Sequence, residues 1–222
     1  MCNILTKGGI GVNNSEEFVK KYNLTNGDTI QDLICNMIYN SCAIEGNKMT
    51  LPDTTELLYG GINYDIVASR RDINDIINNK EALEYLLNCE VIRNTEIIKC
   101  NEIINKNILN TKGFKTVDNK IKGASSLTTR YDKVPEEIYK ICKEFEESKE
   151  DIVKKIAKFH MDFEHIHPFA DGNGRTGRLI MIAQAIKANV KIHIITKDER
   201  NKYINILDKF DYEGLEKLLK EI

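Results

Sequence analysis

Tryptophan is absent from this 222-residue chain, and proline occurs only three times, as Pro52, Pro135 and Pro168. So little proline excludes a proline-rich linker or tail. It also leaves long stretches free to be helical, because proline is the strongest helix breaker. An excess of one charge is missing as well: 32 Lys and Arg face 34 Asp and Glu, for a net charge of −2. Without a basic excess or a basic run, a nucleic-acid partner is not expected. No apolar run approaches the ~18–20 residues that span a bilayer, so no membrane association is expected. The first residues, Met1 to Gly8, lack the basic-then-apolar build of a signal peptide. Six cysteines allow three disulfides by count, but no two form a CxxC pair. They are scattered through helical patterns, so free thiols in a reducing cytoplasm are the better reading.

What is present is helical periodicity. Hydrophobic residues make up 41% of the chain and charged residues 30%, enough for both a core and a solvated surface. Residues 1–27 are polar and read as an arm. From Asp28 and Thr29, the positions Ile30, Leu33, Ile34, Met37 and Ile38 recur at helical spacing until Gly46 and Asn47 stop them. A second start lies at Thr50–Pro52, and Gly60–Gly61 is the likeliest break. Further helices are predicted over Arg70–Asn88, about Thr95–Leu109, from Pro135, about Glu150–His165, about Asn173–Ala188, and after Thr196 and Asp211. The one strand signal is the weak alternation of Gly113–Gly123 around Asp118–Asn119, which suits a small β-hairpin. The spacing therefore predicts one compact all-α domain with a single hairpin.

The segment with the most chemistry runs His167-Pro168-Phe169-Ala170-Asp171-Gly172-Asn173-Gly174-Arg175-Thr176-Gly177-Arg178. It joins two apolar-periodic helices, so it is a loop that feeds a helix N-terminus. Gly172 and Gly174 let backbone approach a ligand. The first N–H groups of the helix have no intrahelical partner, and the dipole there favours negative charge. Arg175 and Arg178 are three apart and share a helix face, so both can address one anion. Together these features describe a phosphate site. Asp171 adds a hard carboxylate suited to Mg²⁺ beside substrate phosphates. His167 adds a group able to take a proton near neutral pH.

Plainer readings explain less. Gly172, Gly174 and Gly177 match GxGxxG, but a dinucleotide site needs a preceding strand, and the preceding segment is helical. His160, His165 and His167 fit neither HExxH nor a zinc-finger spacing. His160 lies on an apolar face and reads as a core histidine. A simple cap would explain one glycine and the asparagine, not the whole set.

The assembled loop resembles the signature of the Fic family, HPFx(D/E)GN(G/K)RxxR, at every defined position, and the resemblance covers roughly residues 90–210. It implies an enzyme that transfers AMP from ATP to a Ser, Thr or Tyr hydroxyl of a protein. Carried over to this sequence, His167 would be the general base, Phe169 a buried anchor and Asp171 the Mg²⁺ ligand. Gly172, Asn173 and Gly174 would form the anion hole. Arg175 would help hold the phosphates and Arg178 would hold the γ-phosphate. The Thr116–Gly123 hairpin resembles the family's flap, which holds the target by strand-like pairing.

Ser41-Cys42-Ala43-Ile44-Glu45-Gly46 is similar to the family's inhibitory motif, (S/T)xxxE(G/N), placed before the catalytic motif. On that resemblance, residues 1–89 form an arm and helices that include an inhibitory helix at about 28–46, and residues 90–222 form the catalytic core. Glu45 and Ser41 share a helix face. Glu45 stands at the dipole end that disfavours a carboxylate, so it is either a solvated residue before a glycine cap or the partner of a cation. The resemblance names that cation as Arg178 and implies inhibition in cis. Tyr203 falls where the family closes its nucleoside pocket, and it reads equally as an adenine contact or a packing tyrosine. Removal of AMP from protein, transfer of another nucleotide, phosphocholine or phosphate, and a binding or toxin–antitoxin role are the competing functions. ATP is the expected partner. The target protein and the oligomeric state have no readable motif, and the chain itself is one candidate target.

Overall fold

In the computed structural model, residues 30–60, 65–110, 112–120 and 128–221 are described. The expected arm over 1–27, the start at Asp28–Thr29, Gly61 and the second half of the hairpin lie outside them. The described helices are α1 (Ile30–Ile44), α2 (Leu51–Tyr59), α3 (Arg70–Asn88), α4 (Asn94–Ile104), α5 (Val134–Glu147), α6 (Ile152–Ile166), α7 (Asn173–Lys187), α8 (Arg200–Asp208) and α9 (Tyr212–Leu219). Two short 3₁₀ turns precede α5 and α8. No described helix is long and apolar enough to cross a membrane.

Side-chain caps explain why the helices begin where they do. Thr50 and Asp53 form a reciprocal capping box ahead of α2, with Pro52 in the first turn. Ser69 accepts from the Asp72 amide at α3, and Asp151 accepts from the Val153 and Lys154 amides at α6. Asp211 does the same for Gly214 at α9. Each such cap is worth about 1 kcal/mol. Gly46 ends the α1 turn at φ +97°, a left-handed value that suits glycine.

Helix α7 is the central element. Its residues are buried on every side rather than along one stripe, and α6, α3, α4 and α1 pack around it. One core joins Leu83 and Leu86 of α3, Ile97 and Ile104 of α4, Phe159 and Phe163 of α6, and Leu179 and Ile182 of α7. A second lies between α6, α7, α8 and α9, around Met161, Met181, Tyr203 and Leu215. A third ties α1 to α3 through Ile38, Cys42 and Ile76. Each such side chain contributes roughly 1.5–3 kcal/mol on burial. Because α7 is enclosed, its polar first turn is enclosed too, and every group there must find a partner.

One expectation changes. The helix read to Leu109 stops at Ile104, because Asn105 turns its amide toward Asn101 and the Asp171 carbonyl. The chain then turns through Asn107 in the left-handed region. The described part of the expected hairpin carries no strand, only an isolated bridge residue at Lys120. Asp118 and Asn119 serve as anchors there. The Tyr131 amide donates to the Asp118 carboxylate, and the Asn119 amide group donates to the Phe169 carbonyl. The five described cysteines are free thiols.

Candidate active site

The 167–178 loop is fastened from both ends. His167 caps α6 in the left-handed conformation at φ +50°, and its amide donates to the Phe163 carbonyl. Phe169 packs its ring against Phe114 and Phe163. Its amide donates to Asn173 Oδ1 and its carbonyl accepts from Asn173 Nδ2, both at 2.8 Å. The Asn173 side chain is therefore a loop staple, and only its backbone can address an anion. Asn101 and Asn105, one turn apart on α4, both donate to the Asp171 carbonyl. Asn101 also donates to Thr176 Oγ1, whose hydroxyl bonds the Gly172 carbonyl. Gly172 has φ +79°, and a Cβ there would press on the same two asparagine amides.

The protonation of His167 is set by chemistry as much as by shape. His167 Nδ1 lies 3.3 Å from the Glu164 carbonyl. A carbonyl only accepts, so Nδ1 carries the proton and Nε2 is left with its lone pair. Burial lowers the His167 pKa to about 4, against the Glu164 carbonyl and with help from Lys115. The imidazole is therefore neutral at physiological pH.

Both arginines of the motif are buried and engaged. Arg175 pairs with Asp75 of α3 and also faces Asp171 at 3.7 Å. Burial raises the Asp75 pKa, although Arg175 and Arg71 oppose it. Arg178 donates from Nε to Ser41 Oγ, and from Nη2 to the Ser41 carbonyl and to Glu45 Oε1 at 2.8 Å. The structure thus brings Ser41, Glu45 and Arg178 together from α1 and α7. Burial would raise the Glu45 pKa, but Arg178, Arg175 and Arg200 outweigh it and hold the carboxyl below its ordinary range. A Cβ on Gly174 would overlap Glu45 Oε1, so this carboxylate stands directly over the first turn of α7. Helix α1 is held there by the Arg200 guanidinium on the Ile44 carbonyl and by the Lys197 amide on Asn40.

Tyr203 is fully buried. Its hydroxyl meets His160 Nε2 at 2.7 Å, and its ring lies 6.0 Å from the Arg178 guanidinium. The structure places it in packing beneath the arginine. His160 is likewise a core residue, its pKa lowered by burial to about 3. Beside it, Glu164 is buried with Oε1 lacking a hydrogen-bond partner, and burial raises its pKa to about 7. Among the described residues no group of three His, Cys, Asp or Glu is arranged to hold a metal. Asp171 instead offers one half-exposed carboxylate at the loop edge, which fits a Mg²⁺ whose other ligands are phosphate oxygens and water.

Several residues of the site carried no sequence motif. Asp75 and the Asn101–Asn105 pair lie on inward faces beside Ile76, Ile97 and Ile104, and a polar residue on an apolar face is the signal that marks them. Lys115 has no such signal. It is buried, with Nζ donating to Asn119, Thr128 and the Ile166 carbonyl, and burial lowers its pKa. Its amide donates to the Pro168 carbonyl at 2.8 Å, so it clamps the 112–120 segment to the loop.

A model of the Fic/DOC family matches residues 92–185. A protein adenylyltransferase Fic from Drosophila yakuba is 30% identical over 188 residues, covering 80% of this chain. The chain spans 37% of that relative's length. Among solved structures, a Fic family protein from Desulfovibrio desulfuricans superposes with a TM-score of 0.73 at 22% identity, covering 95% of this chain and 72% of that one. A Fic domain containing signaling protein from Bacteroides thetaiotaomicron gives a TM-score of 0.70 at 19% identity, with 93% and 94% covered.

Proposed function

The chain belongs to the Fic/DOC family through its domain at residues 92–185, and from that premise we propose that it is a protein adenylyltransferase restrained in cis by Glu45. The observation that carries this reading is a neutral His167 imidazole held beside an anion site made from α7 and two guanidiniums. Residues 1–89 supply the inhibitory helix, and residues 90–222 supply the catalytic core.

In this reading His167 Nε2 takes the proton of a Ser, Thr or Tyr hydroxyl. The hydroxyl oxygen bonds the α-phosphorus of ATP as the bond to diphosphate breaks, which leaves an AMP ester on the protein. The backbone of Gly172–Gly174 and the Arg178 guanidinium stabilise the charge that develops. Arg175, braced by Asp75, neutralises the phosphates from its fixed position. Asp171 would hold Mg²⁺, which when bound neutralises charge on the α- and β-phosphates. While Glu45 occupies Arg178, the γ-phosphate has no guanidinium to meet, so ATP is not seated for in-line attack. The free thiols fit a cytoplasmic setting.

The test is incubation of purified protein with ATP labelled at the α- or the γ-phosphate, with Mg²⁺. Label entering protein from the α-phosphate, and its loss in His167→Ala, is the expected result. Label entering only from the γ-phosphate, or none even in Glu45→Gly, overturns the reading.

A further inference from the structure

Asp171 faces two guanidiniums. Its Oδ2 lies 3.7 Å from Arg175 Nη2 and 3.6 Å from Arg71 Nη2. The two arginines differ in freedom. The Arg175 side chain is 5% exposed and committed to Asp75, whereas Arg71 is 65% exposed and has only Asp171 as an ion-pair partner among the described residues. Arg71 and Asp75 are four apart on α3, so one face of that helix delivers both to the loop. Four charges then alternate across the gap: Arg71, Asp171, Arg175 and Asp75.

Arg71 is not placed there for the helix. It sits in the first turn of α3, the end where the dipole disfavours a cation. The cap at that end is already made by Ser69 and Asp72. What its position serves is the carboxylate. If that carboxylate were shared with a metal ion, Arg71 would be left without its ion-pair partner. The anion it could then turn to would be the phosphate chain of a nucleotide bound with that metal. A guanidinium is the side chain best suited to such a group.

We infer that Arg71 is a further phosphate-binding residue, which neutralises Asp171 in the absence of nucleotide and turns to the diphosphate part once Asp171 engages the metal. The inference rests on the nucleotide-transfer reading above. It assigns Arg71 to a diphosphate, and not to the nucleoside monophosphate that is transferred.

The experiment uses the full chain carrying Glu45→Gly, with Arg71 intact, Arg71→Ala or Arg71→Lys. ADP, inorganic pyrophosphate and AMP are titrated calorimetrically with Mg²⁺, and ADP again with the metal chelated. With Mg²⁺, Arg71→Ala is expected to weaken ADP and pyrophosphate about tenfold and to leave AMP within about twofold. Arg71→Lys should recover part of the loss. Without Mg²⁺ the ADP penalty should shrink to less than about twofold, because Arg71 then stays on Asp171. Unchanged ADP and pyrophosphate affinity overturns the inference, as does an equal loss for AMP, which marks a general disturbance of the loop. An equal ADP penalty with and without Mg²⁺ overturns the exchange of partners. If the Arg71-intact protein binds none of the three ligands, the nucleotide reading itself fails.

Discussion

Glu45 and Arg178, 133 positions apart in sequence, meet in a 2.8 Å hydrogen-bonded ion pair over the start of α7. The two ends of the pair are unequal. Arg178 is buried and also held by Ser41, while the Glu45 side chain is 44% exposed. The pair can therefore open by moving the carboxylate while the guanidinium stays in place.

Removing the carboxylate should release the site at little structural cost. In Glu45→Gly, AMP transfer is expected to rise at least about tenfold. Stability should fall by less than in a pair buried at both ends, since Glu45 is half-exposed and the buried Arg178 keeps its bonds to Ser41. Transfer measured with α-labelled ATP, alongside urea unfolding, checks both. A rate equal to wild type would remove the case for restraint by Glu45.

The pH profile should carry the imprint of His167. Burial holds its pKa at about 4, so the base form persists across the neutral range. The acid limb of kcat/KM in the Glu45→Gly protein is expected near pH 4–5, with a flat profile from about pH 6 to 8. A limb at the ordinary histidine value of about 6.5 would contradict the burial argument.

Asp75 should matter to folding first. Asp75→Ala leaves the Arg175 guanidinium buried without its counter-ion. A loss of about 3–5 kcal/mol is expected for one partner of a buried pair. Asp75→Asn keeps a hydrogen-bond acceptor and should lose less. Chemical denaturation of the two variants tests the order, and equal, small losses would show the pair to be dispensable.

Glu164 predicts a stability difference that grows with pH. Its folded pKa of about 7 lies above the ordinary glutamate value. Between about pH 4.5 and 7 the unfolded chain releases a proton that the folded chain keeps, so burying this group becomes more costly as pH rises. Glu164→Gln has no proton to release. Relative to wild type it should therefore gain about 1–3 kcal/mol between pH 4.5 and 7.5. A pH-independent difference, measured by denaturation at both values, would mean that the folded carboxyl ionises normally.

The fold was legible where local rules dominate. Thr50 with Asp53, Pro135 in a first turn and Gly46 as a stop each act within one helical turn, so the predicted starts and stops fall close to the observed ones. Local rules overreached at Leu109, because the helix end at Ile104 is set by asparagines that bond a loop 66 residues away. At Asp118–Asn119, where the alternation reads as a hairpin, the two side chains anchor the backbone of Tyr131 and Phe169, and the second half of that hairpin lies outside the described residues.

The sequence by itself determined the chemistry of the 167–178 segment. A histidine, a carboxylate, three glycines and two arginines at a helix start can be read without knowing what surrounds them, and the spacing of Arg175 and Arg178 fixes a shared helix face. The resemblance of the Ser41–Gly46 segment to an inhibitory motif also named Glu45 as the partner of Arg178. Only the tertiary structure decided how those groups are held. The packing of α1, α3 and α4 around α7 puts Glu45 over Gly174, Asp75 on Arg175 and Arg71 beside Asp171. It also puts Tyr203 under Arg178, out of reach of solvent. The physical reason is that ion pairing and burial depend on distance in space. Charges 100 positions apart in the chain, as Asp75 and Arg175 are, carry no mark of each other until the helices close around them.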